Sequence, residues 1–117
     1  MAEVHDIKWA AGLFEGEGSI TLGRTAVLLR LSSTDQDVVK TFARVVGTGT
    51  VRVAPRSLTW RWKVVWEWEI GRQAETREVL EAFLPYLHSR RSARAQQALE
   101  WLANRPGQGV GGGVKKK

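Results

Sequence analysis

At 117 residues the chain is long enough for one hydrophobic core and too short for two independent domains. It has no cysteine, which excludes disulfides and thiolate zinc sites and fits a reducing, cytoplasmic setting. Its 18 Lys and Arg against 12 Asp and Glu give a net charge of +6 and a pI near 10.3, a balance that favours a polyanionic partner, with nucleic acid foremost.

The N-terminus, Met-Ala-Glu-Val-His-Asp, lacks the basic head and apolar run of a secretory leader, and no stretch approaches the roughly 18 apolar residues of a membrane span. A soluble intracellular protein is expected, with no membrane partner and no organic cofactor. Twelve arginines against six lysines suit bidentate phosphate and guanine contacts.

Asp6 is the expected N-cap of a first helix to about Gly16, with Ile7, Ala10, Ala11 and Phe14 at helical spacing. Ser19 to Leu22 and Ala26 to Leu31 read as a hairpin turning at Gly23-Arg24. A second helix opens at Ser33 or Asp35, carries Val38, Val39, Phe42, Val45 and Val46, and ends at Gly47. Thr50 to Arg56 forms the third strand. In the run that follows, Trp60, Trp62, Val64, Trp66, Trp68 and Ile70 share one face, opposite Arg61, Lys63, Val65, Glu67 and Glu69.

Helical periodicity returns from Ala74 to His88, interrupted by Pro85, and a last helix covers Ser92 to Ala103. Residues 1–105 are expected to form the domain. Residues 106–117, with five glycines, read as a flexible tail ending in three lysines.

The order α-β-β-α-β-β-α-α describes an α+β fold, a four-stranded antiparallel saddle with helices on one face. The open face then carries Arg24, Arg30, Arg52, Arg56, Arg61 and Lys63 as a basic surface for nucleic acid, because residues 19 to 70 hold eight basic and four acidic side chains. The bland alternative is a solvated sheet face. Strict alternation assigns the tryptophans to the core rather than to base stacking. His5 and His88 lack the spacing of zinc ligands.

Residues 10 to 20 read Ala-Ala-Gly-Leu-Phe-Glu-Gly-Glu-Gly-Ser-Ile. Gly12 and Gly16 lie four apart on one helical face, where they leave room for a second helix to approach closely. Each weakens the helix by roughly 1 kcal/mol against alanine, so their presence asks for a packing reason. Gly18 is expected only to end the helix.

This segment resembles the LAGLIDADG motif: Gly12, Leu13 and Gly18 are identical to it, and Glu15 and Glu17 replace its two aspartates. Downstream, Ser33-Thr34-Asp35, Val46-Gly47-Thr48-Gly49-Thr50-Val51 and Phe83-Leu84-Pro85-Tyr86-Leu87 also look like the family of LAGLIDADG homing endonucleases, so the resemblance covers residues 8 to 103.

The resemblance implies a fold of that family and, because the motif occurs once, a homodimer joined through Gly12, Leu13 and Gly16. It implies cleavage of near-palindromic double-stranded DNA with a divalent metal such as Mg²⁺, held by the Glu17 carboxylate and the Gly16 carbonyl. Glu15 is expected to cap or pack. Arg90, with Arg91 beside it, matches the family's basic catalytic position, and because arginine stays protonated its expected role is electrostatic. Ser32 and Ser33 lie where the family places a polar water-positioning residue. Two rival readings accompany this one: a DNA- or RNA-binding module that has lost cleavage, as an intron maturase or transcriptional regulator, and an RNA-binding protein that uses the tryptophan face.

Overall fold

A computed structural model describes residues 4–54 and 64–104. Helix α1 spans Val4–Glu17 and buries Ile7, Ala10, Ala11 and Phe14, the apolar stripe visible in the sequence. Asp6 is not its cap. The helix has already begun at Val4, and Asp6 sits in the first turn, where a carboxylate complements the dipole.

Strand β1 (Gly18–Leu22) follows α1 without a loop, and β2 (Val27–Ser33) returns antiparallel, its turn held by the Gly23 N–H donating to the Ala26 carbonyl at 2.9 Å. Gly18 does more than end a helix. It is buried, and a Cβ at this position would run into the ring of Phe14. Phe14 is fully buried between Phe42 and Phe83, with ring centroids 6.5 and 5.6 Å away, and has nowhere to retreat. Gly18→Ala is therefore expected to destabilise the fold by about 1–3 kcal/mol through overpacking. A lowered urea midpoint at unchanged m-value would show it; an unshifted midpoint would mean that the core yields at Phe14.

Helix α2 (Gln36–Val46) starts at Asp35, whose carboxylate accepts from the N–H groups of Asp37 and Val38, and stops at Gly47 with φ 86°. Ser33 is engaged just upstream, its Oγ accepting the Asp35 N–H at 3.0 Å. A second left-handed glycine, Gly49 (φ 95°), lies where a side chain would strike the Trp68 indole. That indole is buried, meets Phe42 edge-on at 4.9 Å and donates its N–H to the Thr48 carbonyl at 2.9 Å.

Strands β3 (Thr50–Val53) and β4 (Trp66–Ile70) complete an antiparallel sheet in the order β1-β2-β4-β3. The expected strand alternation holds from Trp66 to Ile70 but not at Val64. That residue precedes β4 and is exposed. Residues 55–63, with Arg56, Trp60, Arg61, Trp62 and Lys63, lie outside the described residues, as does the expected tail.

Helix α3 (Gln73–Phe83) buries Thr76, Val79, Leu80 and Phe83 and gives way at Pro85 to a single 3-10 turn, Leu84–Tyr86. Helix α4 (Ser89–Ala103) begins three residues before its expected start. The cause is tertiary: the Glu15 carboxylate accepts the His88 N–H at 2.9 Å, satisfying a backbone donor at the helix entrance. Leu29, Leu31, Trp68 and Ile70 face the helices in one core. The fold is the expected α+β architecture, and among the described residues no helix covers the opposite sheet face.

Candidate functional site

Register decides what that free face displays. Arg30 stands directly opposite Glu69 across β2 and β4, Arg52 opposite Glu67 across β3 and β4, and Ser32 opposite Glu67 from the other side. Residues two apart on a strand share a face, so Ser19, Arg30, Ser32, Thr50, Arg52, Glu67 and Glu69 form one polar surface. It borders a concavity of about 470 Å³ lined by Glu17, Ser19, Arg30, Ser32, Arg52, Ala54 and Glu67.

Of the residues expected on the basic saddle, Arg30 and Arg52 are ion-paired with carboxylates. Arg30 Nε donates to Glu69 at 3.1 Å and lies 3.3 Å from Glu67, and Arg52 Nη2 lies 3.1 Å from Glu67 and 3.8 Å from Glu69. Two arginines and two glutamates cancel. Alternation already places Glu67 and Glu69 on the open face; what the sequence does not reveal is the register that sets them against Arg30 and Arg52. The hydrogen bond to Glu69 raises the Arg30 pKa above its ordinary value despite opposing desolvation, with the charges of Glu67 and Glu69 adding to the rise, so Arg30 stays cationic. Arg24 is exposed in the β1–β2 loop, apart from this lattice, and Arg56, Arg61 and Lys63 lie outside the described residues.

Glu17, the last residue of α1, reaches the same concavity, and its carboxylate has no hydrogen-bond or ion-pair partner among the described residues. Helix C-termini carry partial negative charge and carbonyls that lack an i+4 donor, so Glu17 together with the Gly16 carbonyl offers hard oxygen donors suited to a divalent cation. The donor set fits such an ion, and among the described residues no three His, Cys, Asp or Glu side chains gather as a metal cluster.

Glu15 points elsewhere, onto the His88 N–H. Its own carbonyl accepts Arg91 Nε at 3.2 Å, and the Arg91 guanidinium lies 6.0 Å from the Phe14 ring centroid. Arg91, not Arg90, is thus fastened to the end of α1. Arg90 is exposed in the first turn of α4. Arg94, which sequence reasoning overlooked, joins them, its Nε donating to the Ile20 carbonyl at 3.3 Å. The spacing of 91 and 94 on one helix face is the signal that could have found it.

Gly12 and Gly16 occupy an exposed face of α1, and a Cβ at either would meet nothing within 4 Å. Among the described residues, nothing in the protomer's packing requires glycine at these positions. Trp9, one helical turn before Gly12, is 42% exposed, and Leu13 beside it is half-buried against the core.

No protein-family model and no curated protein sequence matches the chain. Solved structures do. The homing endonuclease I-CvuI, crystallised with its target in the presence of calcium, is similar at TM-score 0.68 and 23% identity over 86% of this chain and 69% of its own. The archaeal intron-encoded homing endonuclease I-Vdi141I, complexed with DNA, is similar at TM-score 0.67 and 12% identity over 86% of this chain and 70% of its own. The LAGLIDADG meganuclease I-AabMI, bound to uncleaved DNA, is similar at TM-score 0.68 and 13% identity, with 82% of this chain spanning 35% of the larger protein. The chain has the LAGLIDADG homing-endonuclease fold.

Proposed function

We propose that the protein is a homodimeric, metal-dependent, site-specific DNA endonuclease that cuts both strands of a near-palindromic duplex. One observation carries the proposal: Glu17, an unpartnered carboxylate among the described residues, opens from the end of α1 onto the polar groove of the free sheet face. This occurs in a fold shared with endonucleases whose structures hold DNA.

Two features favour a dimer. The Gly12 and Gly16 face of α1 is open to a second helix, and among the described residues one protomer gathers no cluster of three acidic or His side chains, so a second Glu17 would add a carboxylate. A two-fold axis between two α1 helices would bring both Glu17 carboxylates toward one groove and match the symmetry of the target.

A divalent ion held by Glu17 and the Gly16 carbonyl would supply polarisation of the phosphoryl oxygen and a nucleophilic water at neutral pH. The chain's own residues do the rest. Ser32 lines the groove with Glu17 and is placed to orient a water, whereas Ser33 is engaged by the Asp35 N–H. Arg90 and Arg91 reinforce the positive N-terminal end of α4, which carries no acidic residue in its first turn. We assign Arg90 the stabilisation of charge on the scissile phosphate and Arg91 the positioning of α4 against α1.

Incubating a randomised duplex library with the protein and Mg²⁺ tests the reading. Cuts at a discrete site class are expected; site-selective binding without cuts would instead support a binding module. Arg90→Ala should lower the single-turnover rate by roughly 10²-fold or more, the loss typical of an electrostatic group, and change affinity little. Loss of affinity at an unchanged rate would make Arg90 a positioning residue.

A further inference from the structure

Helix α1 ends against its own dipole. A helix C-terminus bears partial negative charge and favours cations, yet the last turn of α1 carries Glu15 and Glu17 and no basic residue. Helix α4 has the mirror deficiency, with no acidic residue in a first turn that favours anions. Each helix takes the missing charge from the other. The Glu15 carboxylate accepts the His88 N–H at 2.9 Å at the entrance of α4, and Arg91 donates its Nε to the Glu15 carbonyl at 3.2 Å at the exit of α1. Glu17 stays outside this exchange, its carboxylate without a partner among the described residues.

A third bond closes a bracket around Glu17. Arg94, one helical turn beyond Arg91, donates its Nε to the Ile20 carbonyl at 3.3 Å, so α4 grips the chain at residue 15 on one side of Glu17 and at residue 20 on the other. The Glu15 carbonyl needs such a donor, because its i+4 residue, Ser19, has left the helix for β1. No bond of the bracket takes the Gly16 carbonyl. The grip is anchored in the core: Arg91 is half-buried, with its guanidinium 6.0 Å from the centroid of the fully buried Phe14 ring. All three bonds join residues more than 70 positions apart, so the shape of the turn is set by the tertiary fold and not by its own short sequence.

We infer that Glu15, Arg91 and Arg94 are positioning residues that hold the α1–β1 turn in one shape and so arrange the Glu17 carboxylate and the Gly16 carbonyl for a divalent ion, given the role proposed for Glu17 above. Groups that orient metal ligands typically change metal affinity by roughly 10–100-fold without touching the ion. These three side chains therefore act on how tightly the ion is held, and not on DNA contact or on charge at the scissile phosphate.

The full-length protein is loaded with a duplex selected from the randomised library, and Ca²⁺ binding is measured by calorimetry. Arg94 is exposed, so Arg94→Ala should melt like the wild type. It should weaken Ca²⁺ binding by roughly 10-fold or more and raise the Mg²⁺ concentration for half-maximal cleavage by the same factor. The single-turnover rate at saturating Mg²⁺ and the duplex affinity in chelator should stay at wild-type values. Without metal or DNA, amide hydrogen exchange at residues 16–20 should quicken in Arg94→Ala and in Arg91→Ala. Arg94→Lys, which keeps a donor, should recover most of the loss, and Glu15→Gln, which keeps an acceptor for the His88 N–H, should cost less than Glu15→Ala.

Unchanged Ca²⁺ affinity and unchanged exchange in Arg94→Ala would overturn the inference. So would a salt slope reduced by about 1 at unaltered Ca²⁺ affinity, which would make Arg94 a phosphate contact. In either case a wild type whose Ca²⁺ binding is lost in Glu17→Gln would leave the role of Glu17 standing. A wild type that bound the duplex but took up no Ca²⁺ would fail the metal reading of Glu17, and this inference with it.

Discussion

Glutamine in place of Glu17 is expected to abolish cleavage while sparing DNA binding. The substitution keeps the length and nearly the shape of the side chain at an exposed helix end, so α1 and the groove persist. What disappears is the formal charge that, with the carbonyl end of α1, attracts a divalent ion. Metal assistance of phosphodiester hydrolysis is worth several kcal/mol, and each 1.36 kcal/mol is tenfold in rate, so a fall of at least about 10³-fold in single-turnover rate is expected. Binding should move the other way. On the proposed dimer two negative charges would be lost from a site proposed to face phosphates, and affinity measured in chelator should hold or rise. Cleavage by the glutamine variant at the wild-type rate would remove Glu17 from the site.

The second large effect is expected at Gly12. Leucine there adds a bulky side chain to a surface where a Cβ meets nothing within the protomer, so the isolated chain should fold at least as well. It should in fact gain about 1 kcal/mol of helix propensity over glycine. The dimer should suffer, because the added side chain occupies the space a second α1 would enter. Sedimentation should show monomers at concentrations where the wild type is dimeric, and thermal melting of those monomers should occur no lower than expected for a folded chain. Loss of both assembly and fold would point to a role for Gly12 inside the protomer. A wild type that sediments as a monomer even on its DNA would dispose of the dimer.

Helix α2 was readable from both ends, because Asp35 and Gly47 are chemically committed to a cap and a left-handed stop, and the valines between them keep strict helical spacing. Pro85 similarly marks the break after α3. The motif segment placed Glu17 at a helix end, and it lies at one.

What could not be read depends on contacts between distant segments. No local pattern in β2 announces that Arg30 faces Glu69, 39 residues away, so a count of basic residues does not show that Arg30 is ion-paired. Gly18 looked like punctuation because its constraint is the ring of Phe14, set by the core as a whole. The start of α4 was misplaced for the same reason, since the group that satisfies the His88 N–H comes from Glu15 on α1.

The strand order also sets when the groove comes into being. The β1–β2 hairpin closes from Leu22 to Val27, whereas β2 meets β4 only by joining Ser33 to Trp66, an intervening segment roughly eight times longer. Loop closure makes that second pairing costlier by about 2 kcal/mol of chain entropy, so it follows the local hairpins during folding. Every ion pair of the Arg/Glu lattice spans the β2–β4 or β3–β4 seam. A nascent chain that has not yet released Ile70 from the ribosome can build α1, the first hairpin and α2, but has no groove floor. Its Arg30 and Arg52 side chains then lack their β4 carboxylates, and the polar groove arrives with that strand.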